Sequence, residues 1–205
     1  MRQGLGTPST LFWDVATTFA TGERPPNHAF VPKNYDDKFH GPVRMRTALA
    51  NSYNIPAVKA LQTVGIPSVL RLAHLLGIND LEAGLERYGL SLTLGGGEVK
   101  LLDMTYLYST FANGGAMVGA PRPQTLQRRG YRKLDPAVIL EITDVNGRQL
   151  YKYTPSRLPN MLGPNSPQLT YLLTNMLSDN EARTPAFGVG NVLELKRKRP
   201  AAVKT

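Results

Sequence analysis

The 205-residue chain contains no cysteine, which removes disulfide scaffolds, thiolate zinc sites and thiol nucleophiles together. No stretch approaches the roughly 20 apolar residues that a membrane-crossing helix needs, and Met1-Arg2-Gln3-Gly4 begins no signal-peptide pattern. The three histidines, His28, His40 and His74, lie far apart. None pairs with an acidic residue or another histidine at ligand spacing, so no metal and no other cofactor is expected. Acidic residues are also few: fifteen Asp and Glu against twenty-four Lys and Arg leave a formal net charge of +9. That excess favours polyanionic neighbours such as nucleic acid, acidic lipid or anionic wall polymer, without choosing among them. Hydrophobic residues at 41% and charged residues at 19% argue against wholesale disorder. The length suits one domain of about 150 residues with some chain left over, or one larger domain.

The first forty residues carry little periodicity. Proline disfavours helix at the residue before it, so Thr7-Pro8, Arg24-Pro25-Pro26 and Val31-Pro32 read as turns and extended chain in a loop-rich segment. From Gly41 to Gly115 the punctuation is helical. Pro42 can open a short helix over Val43 to Ala50, and Pro56 fits the first position of a second, with Gly65 just past its end. Pro67 and Gly77 bracket a third. After Gly95-Gly96-Gly97, Glu98 sits near the positive start of a fourth helix, whose Leu101, Thr105, Tyr108 and Ala112 follow at helical spacing until Asn113-Gly114-Gly115. The period then changes. Val138 to Thr143 and Arg148 to Tyr153 read as strands joined at Asn146-Gly147, a strong hairpin signal. Ser166-Pro167 opens a last amphipathic helix with Leu169, Leu172, Leu173, Met176 and Leu177 on one face, and Asn191 to Thr205 reads as a strand.

Few segments carry chemistry by themselves. The glycine triplet is followed by neither a dinucleotide-binding pattern nor a P-loop lysine, so it reads as a turn that admits close packing. Lys196-Arg197-Lys198-Arg199, and Arg128-Arg129 with Arg132-Lys133, form basic patches without any accompanying nucleic-acid-binding signature; they read as solvated faces, and nucleic acid is not an expected partner. Ser52-Tyr53-Asn54 falls between two helices, where two hydrogen-bonding side chains spaced two apart can project into a cleft. Alone, such a triplet more commonly caps a helix or forms a turn.

The surrounding sequence gives that triplet its meaning. Asn34-Tyr35-Asp36, the run from Phe39 to Leu61, Leu92 to Val99, Phe111 to Gly115 and the ending Arg199-Pro200-Ala201-Ala202-Val203-Lys204-Thr205 together resemble the transpeptidase domain of class A penicillin-binding proteins, in the family's order. The resemblance implies an α+β, β-lactamase-like fold with a helical subdomain and an incomplete antiparallel sheet. The expected division is a loop-rich entry segment over 1–40, a helical subdomain over 41–121 carrying Ser-x-Asn, and a partial sheet subdomain over 122–205, with the cleft between the last two.

Enzymes of this family acylate a serine with the D-Ala-D-Ala end of a peptidoglycan stem peptide and pass the acyl group to an amine. By match to the second family motif, Ser52 would relay a proton to the departing amine and Asn54 would hold the substrate's peptide amide. By match to the first two residues of Lys-Thr-Gly, Lys204 would place positive charge beside Ser52, and Thr205 would bond the substrate carboxylate. The implied partners are the stem peptide and β-lactams. The implied place is the outer face of the bacterial cytoplasmic membrane, with an anchor and a glycosyltransferase domain N-terminal to this region of the parent chain. The chain departs from the family in two respects: none of its eight serines has lysine three residues on, so the nucleophile motif is expected upstream of Met1, and Lys204-Thr205 is not followed by the motif glycine, which is expected beyond Thr205. Lacking nucleophile and base, the 205 residues alone are expected to be inert, and the unpaired edges and exposed apolar faces of an incomplete sheet are expected to leave them poorly soluble or oligomeric. The alternative is a wall-binding or assembly module that keeps the fold without the chemistry.

Overall fold

A computed structural model describes residues 1–20, 29–81 and 88–204. They divide into two compact units, neither of which is one continuous segment. The first is built from Met1–Val69, a stretch ending at Gly97, and the chain from Tyr171 onward; the second from a stretch beginning at Leu70 and from Glu98–Thr170.

In the first unit, β1 (Leu11–Asp14) is followed by the two-residue strands β2 (Phe19–Ala20) and β3 (Ala29–Phe30), which pair with each other. β4 (Gly41–Arg44) pairs antiparallel with β1, setting Phe12 opposite Val43 and Asp14 opposite Gly41. The chain then passes directly into α1 (Met45–Ala50). The helix expected from Val43 therefore begins two residues later. Val43 and Arg44 are claimed by the ladder with β1, and Arg44 keeps an extended backbone as the residue preceding the helix. α2 (Asn54–Val64) has Pro56 in its first turn and stops at Gly65, whose φ of 83° is open to glycine without strain. Its Ile55, Val58 and Leu61 recur at helical spacing and are buried. α3 (Ile66–Leu76) starts in this unit, belongs to the second from Leu70 onward, and ends as expected before Gly77.

In the second unit, α4 (Leu101–Ala112) turns the opposite face inward from the one its apolar spacing indicates. Leu101 is 82% exposed, while Asp103, Tyr106 and Thr110 are buried. The cause is Arg132, which belongs not to a surface patch but to the interior. Its Nη1 donates to Asp103 Oδ1 at 2.6 Å and to the Gly77 carbonyl at 2.8 Å, and its Nε donates to Asp135 Oδ1 at 2.8 Å. The guanidinium lies 5.6 Å from the Tyr106 ring centre. Burial pushes the Tyr106 phenol up to about 12. A buried guanidinium is tolerated only when its donors are taken up, so α4 rolls to offer Asp103.

β5 (Met117–Pro121) is the central strand of an antiparallel sheet, between β6 (Leu134–Asp135) and β9 (Ser156–Leu158). Met117 and Leu134 join Leu76, Tyr106, Met161 and Leu162 in this unit's core. Gly115 enters the sheet at φ 83°, and a Cβ there would fall 2.5 Å from Ser166 Cβ, so only glycine fits. The expected hairpin is present as β7 (Glu141–Thr143) and β8 (Gln149–Lys152), shorter than the sequence run. Asp144 Oδ1 accepts the N–H groups of both Asn146 and Arg148, and Gly147 takes φ 80°.

Asp103→Ala should destabilise the second unit by about 3 kcal/mol, because it removes the buried carboxylate of Arg132 and leaves only the partly exposed Asp135 to balance the charge. Asp103→Leu combined with Arg132→Met should cost much less in urea denaturation. Equal losses in the two variants would show that the ion pair does not set the burial of α4.

Candidate active site

The turn carrying Ser52 is a helix stop. The N–H of Ser52 reaches the Leu49 carbonyl at 3.3 Å, and the N–H of Tyr53 reaches back to Ala48 at 3.0 Å. These two bonds close the end of α1 across Ser52, which sits at φ 58° in the left-handed region. Glycine is the usual occupant of that position; serine there costs about 1–2 kcal/mol. The strained backbone lifts the serine side chain out of the helix.

Two further helices fix this turn from outside. α5 (Ser166–Leu177) carries the expected apolar face, but it is not the last helix: α6 (Asn180–Phe187) follows. Asp179 caps α6 by accepting the Ala182 N–H at 2.9 Å, and its other oxygen accepts Arg46 Nη1 from α1 at 2.9 Å. Arg46 Nη2 also donates to Asn175 Oδ1 at 2.6 Å. Asn51, the residue before Ser52, is buried; it donates to the Ala182 carbonyl at 2.7 Å and accepts the Ala186 N–H at 2.9 Å. The backbone just ahead of the Ser52 hydroxyl is thus pinned to α6.

The tail reaches the same place. Asn191 to Lys204 forms no strand: its one regular piece is a short 3₁₀ turn, Lys196–Lys198, with Arg197 at φ 62°, followed by extended chain. The described residues offer this stretch no ladder partner; instead Val203 N–H donates to the Leu177 carbonyl at the end of α5, at 3.0 Å. That bond holds the next residue over the turn, and Lys204 Nζ donates to Ser52 Oγ at 2.7 Å. Lys204 is exposed as a residue, yet the protein packed around its ammonium pushes its pKa below the usual lysine value. Thr205 lies outside the described residues. Asn54 opens α2, and its carboxamide donates to the Lys33 carbonyl at 2.7 Å.

Beneath the turn lies a cluster that sequence reading missed. Asp14, at the end of β1, is fully buried; its Oδ2 accepts Asn34 Nδ2 at 2.8 Å and the His40 N–H at 3.1 Å, and meets His40 Nδ1 at 2.6 Å. His40 Nε2 meets Asp36 Oδ2 at 3.1 Å, so this histidine does pair with acids, one of them four residues away. Its ring stacks on Tyr53 with centroids 3.9 Å apart. Asn34 Oδ1 accepts the N–H of Asn54 at 2.8 Å. Burial, with Asp36 and Asp14 nearby, raises the Tyr53 phenol and keeps it protonated. Partial desolvation raises the Asp36 carboxyl, but the Lys38 N–H and His40 together hold it below its ordinary value. The spacing of Asp36 and His40 was the available signal; Asp14 could be found only by folding the chain.

The fold is that of the penicillin-binding transpeptidases, mixing helices with small antiparallel sheets. Penicillin-binding protein 1A of Haemophilus influenzae matches with a TM-score of 0.64 at 24% identity, over 86% of this chain and 27% of that one. Penicillin-binding protein A of Mycobacterium tuberculosis, solved as a penicillin G acyl-enzyme complex, matches with a TM-score of 0.64 at 14% identity, over 90% of this chain and 40% of that one. In sequence, penicillin-binding protein 1A of Rickettsia bellii is 27% identical over 192 residues, which are 89% of this chain and 22% of the relative. The chain therefore resembles the class A penicillin-binding proteins along most of its own length, while spanning less than a quarter of that relative. No family model matches it.

Two outcomes follow for the turn and the lysine. Ser52→Ala should be less stable than Ser52→Gly by about 1 kcal/mol in chemical denaturation, since both lose the hydroxyl but only alanine keeps the left-handed strain. By NMR, the Lys204 ammonium should titrate below 10.5, its ordinary value. Its depressed folded pKa means the unfolded chain binds the proton more tightly. Its contribution to stability therefore rises with pH between the folded and unfolded pKa values and is least favourable below both. A midpoint at or above 10.5 would contradict the packing around the ammonium.

Proposed function

We propose that the chain carries part of the acyl-transfer site of a serine-type peptidoglycan D,D-transpeptidase, with Ser52 and Asn54 from one motif and Lys204 and Thr205 from another. The observation that carries this reading is the 2.7 Å contact between the Lys204 ammonium and the Ser52 hydroxyl, two groups 152 residues apart. A hydroxyl bonded to a cation of lowered pKa can pass a proton: Ser52 delivers its hydrogen to a leaving amine as its oxygen takes one from the Lys204 ammonium, which is left as the neutral amine. The same cation attracts a terminal carboxylate, as a D-Ala-D-Ala stem peptide or a β-lactam presents, with Thr205 as its second donor. Asn54 would hold the substrate's peptide amide.

None of the eight serines is followed by lysine at the third position, so the acylated serine and its base are not supplied by these 205 residues. The isolated chain is inert in this reading, its rate lower by on the order of 10⁶ than that of a site with nucleophile and base. A parent anchored on the outer face of the cytoplasmic membrane, with a glycosyltransferase domain N-terminal to this region, is part of the same proposal. The missing Ser-x-x-Lys also favours a second reading, a wall-peptide-binding module of the same fold that does no chemistry.

Incubation with a fluorescent penicillin separates these. The 205-residue chain should form no covalent adduct, and one would refute its inertness. A longer chain from the source reading frame that includes Ser-x-x-Lys should label, and Lys204→Ala in it should slow labelling by about 10²–10⁴-fold. A source frame without that motif leaves the binding module.

A further inference from the structure

We propose that Asp14, Asn34 and His40 form the positioning device of the Ser52–Asn54 turn, setting the serine hydroxyl against Lys204 without touching it themselves. The inference rests on the transpeptidase reading for its purpose, but not for its geometry.

The cluster acts on the turn at two points. Asn34 holds Asp14 with its amide and the backbone N–H of Asn54 with its oxygen, at 2.8 Å each, so the first residue of α2 is tied to the end of β1. Asn34 Nδ2 also donates to the Lys38 carbonyl at 2.8 Å, closing the loop that brings His40 round. His40 is held edge-on by two carboxylates, Asp14 Oδ2 at 2.6 Å and Asp36 Oδ2 at 3.1 Å, and its flat face lies 11° from the plane of Tyr53. Tyr53 itself is buried against Val43 and Ala48. The backbone of Ser52 is thus bracketed by residues that cannot rotate: Asn51 bound to α6 on one side, Tyr53 stacked and Asn54 tethered on the other.

A left-handed serine needs such a bracket, because about 1–2 kcal/mol favours its escape into ordinary backbone. Asp14 is built for the task rather than for solubility. It is fully buried, its Oδ1 has no hydrogen-bond partner among the described residues, and its Oδ2 takes three donors. A carboxylate that costly to bury is retained where fixed orientation matters.

The test uses the 205-residue chain and NMR. In Asn34→Ala, amide exchange at Asn54 should accelerate about tenfold, the scale of one lost hydrogen bond. The amide resonances of Ser52 and Tyr53 should shift, and the Lys204 midpoint should move up toward the ordinary lysine value as the ammonium leaves its packed setting. Leu61→Ala, in the buried face of α2, supplies a comparable loss of stability away from the cluster and should leave the Lys204 midpoint unchanged. His40→Phe keeps a ring on Tyr53 while deleting both carboxylate bonds, and serves the same reading where Asn34→Ala does not fold. An unmoved Lys204 midpoint in the cluster variants, or an equal shift in Leu61→Ala, overturns the proposal. A chain from the source frame that fails to label with penicillin sinks the transpeptidase reading and leaves these measurements standing.

Discussion

The hydrogen bond between Lys204 and Ser52 closes a span of 152 residues, and it cannot do so by its own strength. Bringing together chain ends that far apart costs about 4 kcal/mol of loop entropy. One hydrogen bond returns about 1 kcal/mol net, somewhat more with a charged donor. The site exists because other contacts have already closed the loop. Arg46 joins α1 to Asp179 and Asn175, Asn51 joins the turn to α6, and Val203 joins the tail to Leu177. The ammonium then completes an arrangement that the backbone has made.

Each unit also holds a deeply buried charge that fixes its surroundings. In the first it is Asp14, surrounded by amide and imidazole donors; in the second it is Arg132, surrounded by Asp103, Asp135 and the Gly77 carbonyl. Buried charges of this kind seldom add stability over an apolar replacement, but they punish every arrangement that leaves them unpaired. Asp14 settles where His40 and Asn34 lie. Arg132 settles which face of α4 is inside.

That explains what the sequence could disclose. Proline and glycine act on their own neighbours, so the bounds of α2 and α3 and the Asn146-Gly147 hairpin were readable locally. The face of α4 was not: Leu101 and Tyr108 fit an apolar stripe, but the roll of the helix is decided by an arginine some thirty residues further along. Val43 and Arg44 read as helix until β1 is there to pair with them. α6 escaped notice because Pro185 lies inside it, and the tail failed to become a strand for want of a partner among the described residues. At the site, Ser52 and Lys204 were picked out by the order of family motifs alone, since nothing in composition or spacing joins positions so distant. Asp14 was invisible for the same reason: Asn34, Asp36 and His40 fall inside the blocks that carry the resemblance, but nothing in those blocks points back to Asp14.

The β7–β8 hairpin is the least committed part of the second unit. Every residue of both strands is exposed, and its turn is held by the Asp144 carboxylate rather than by packing. Loop tips of that kind accept extra chain without disturbing the body that carries them. An epitope or fluorophore spliced between Val145 and Asn146 would therefore report on the protein's whereabouts in a living cell while leaving the serine and its lysine as they are.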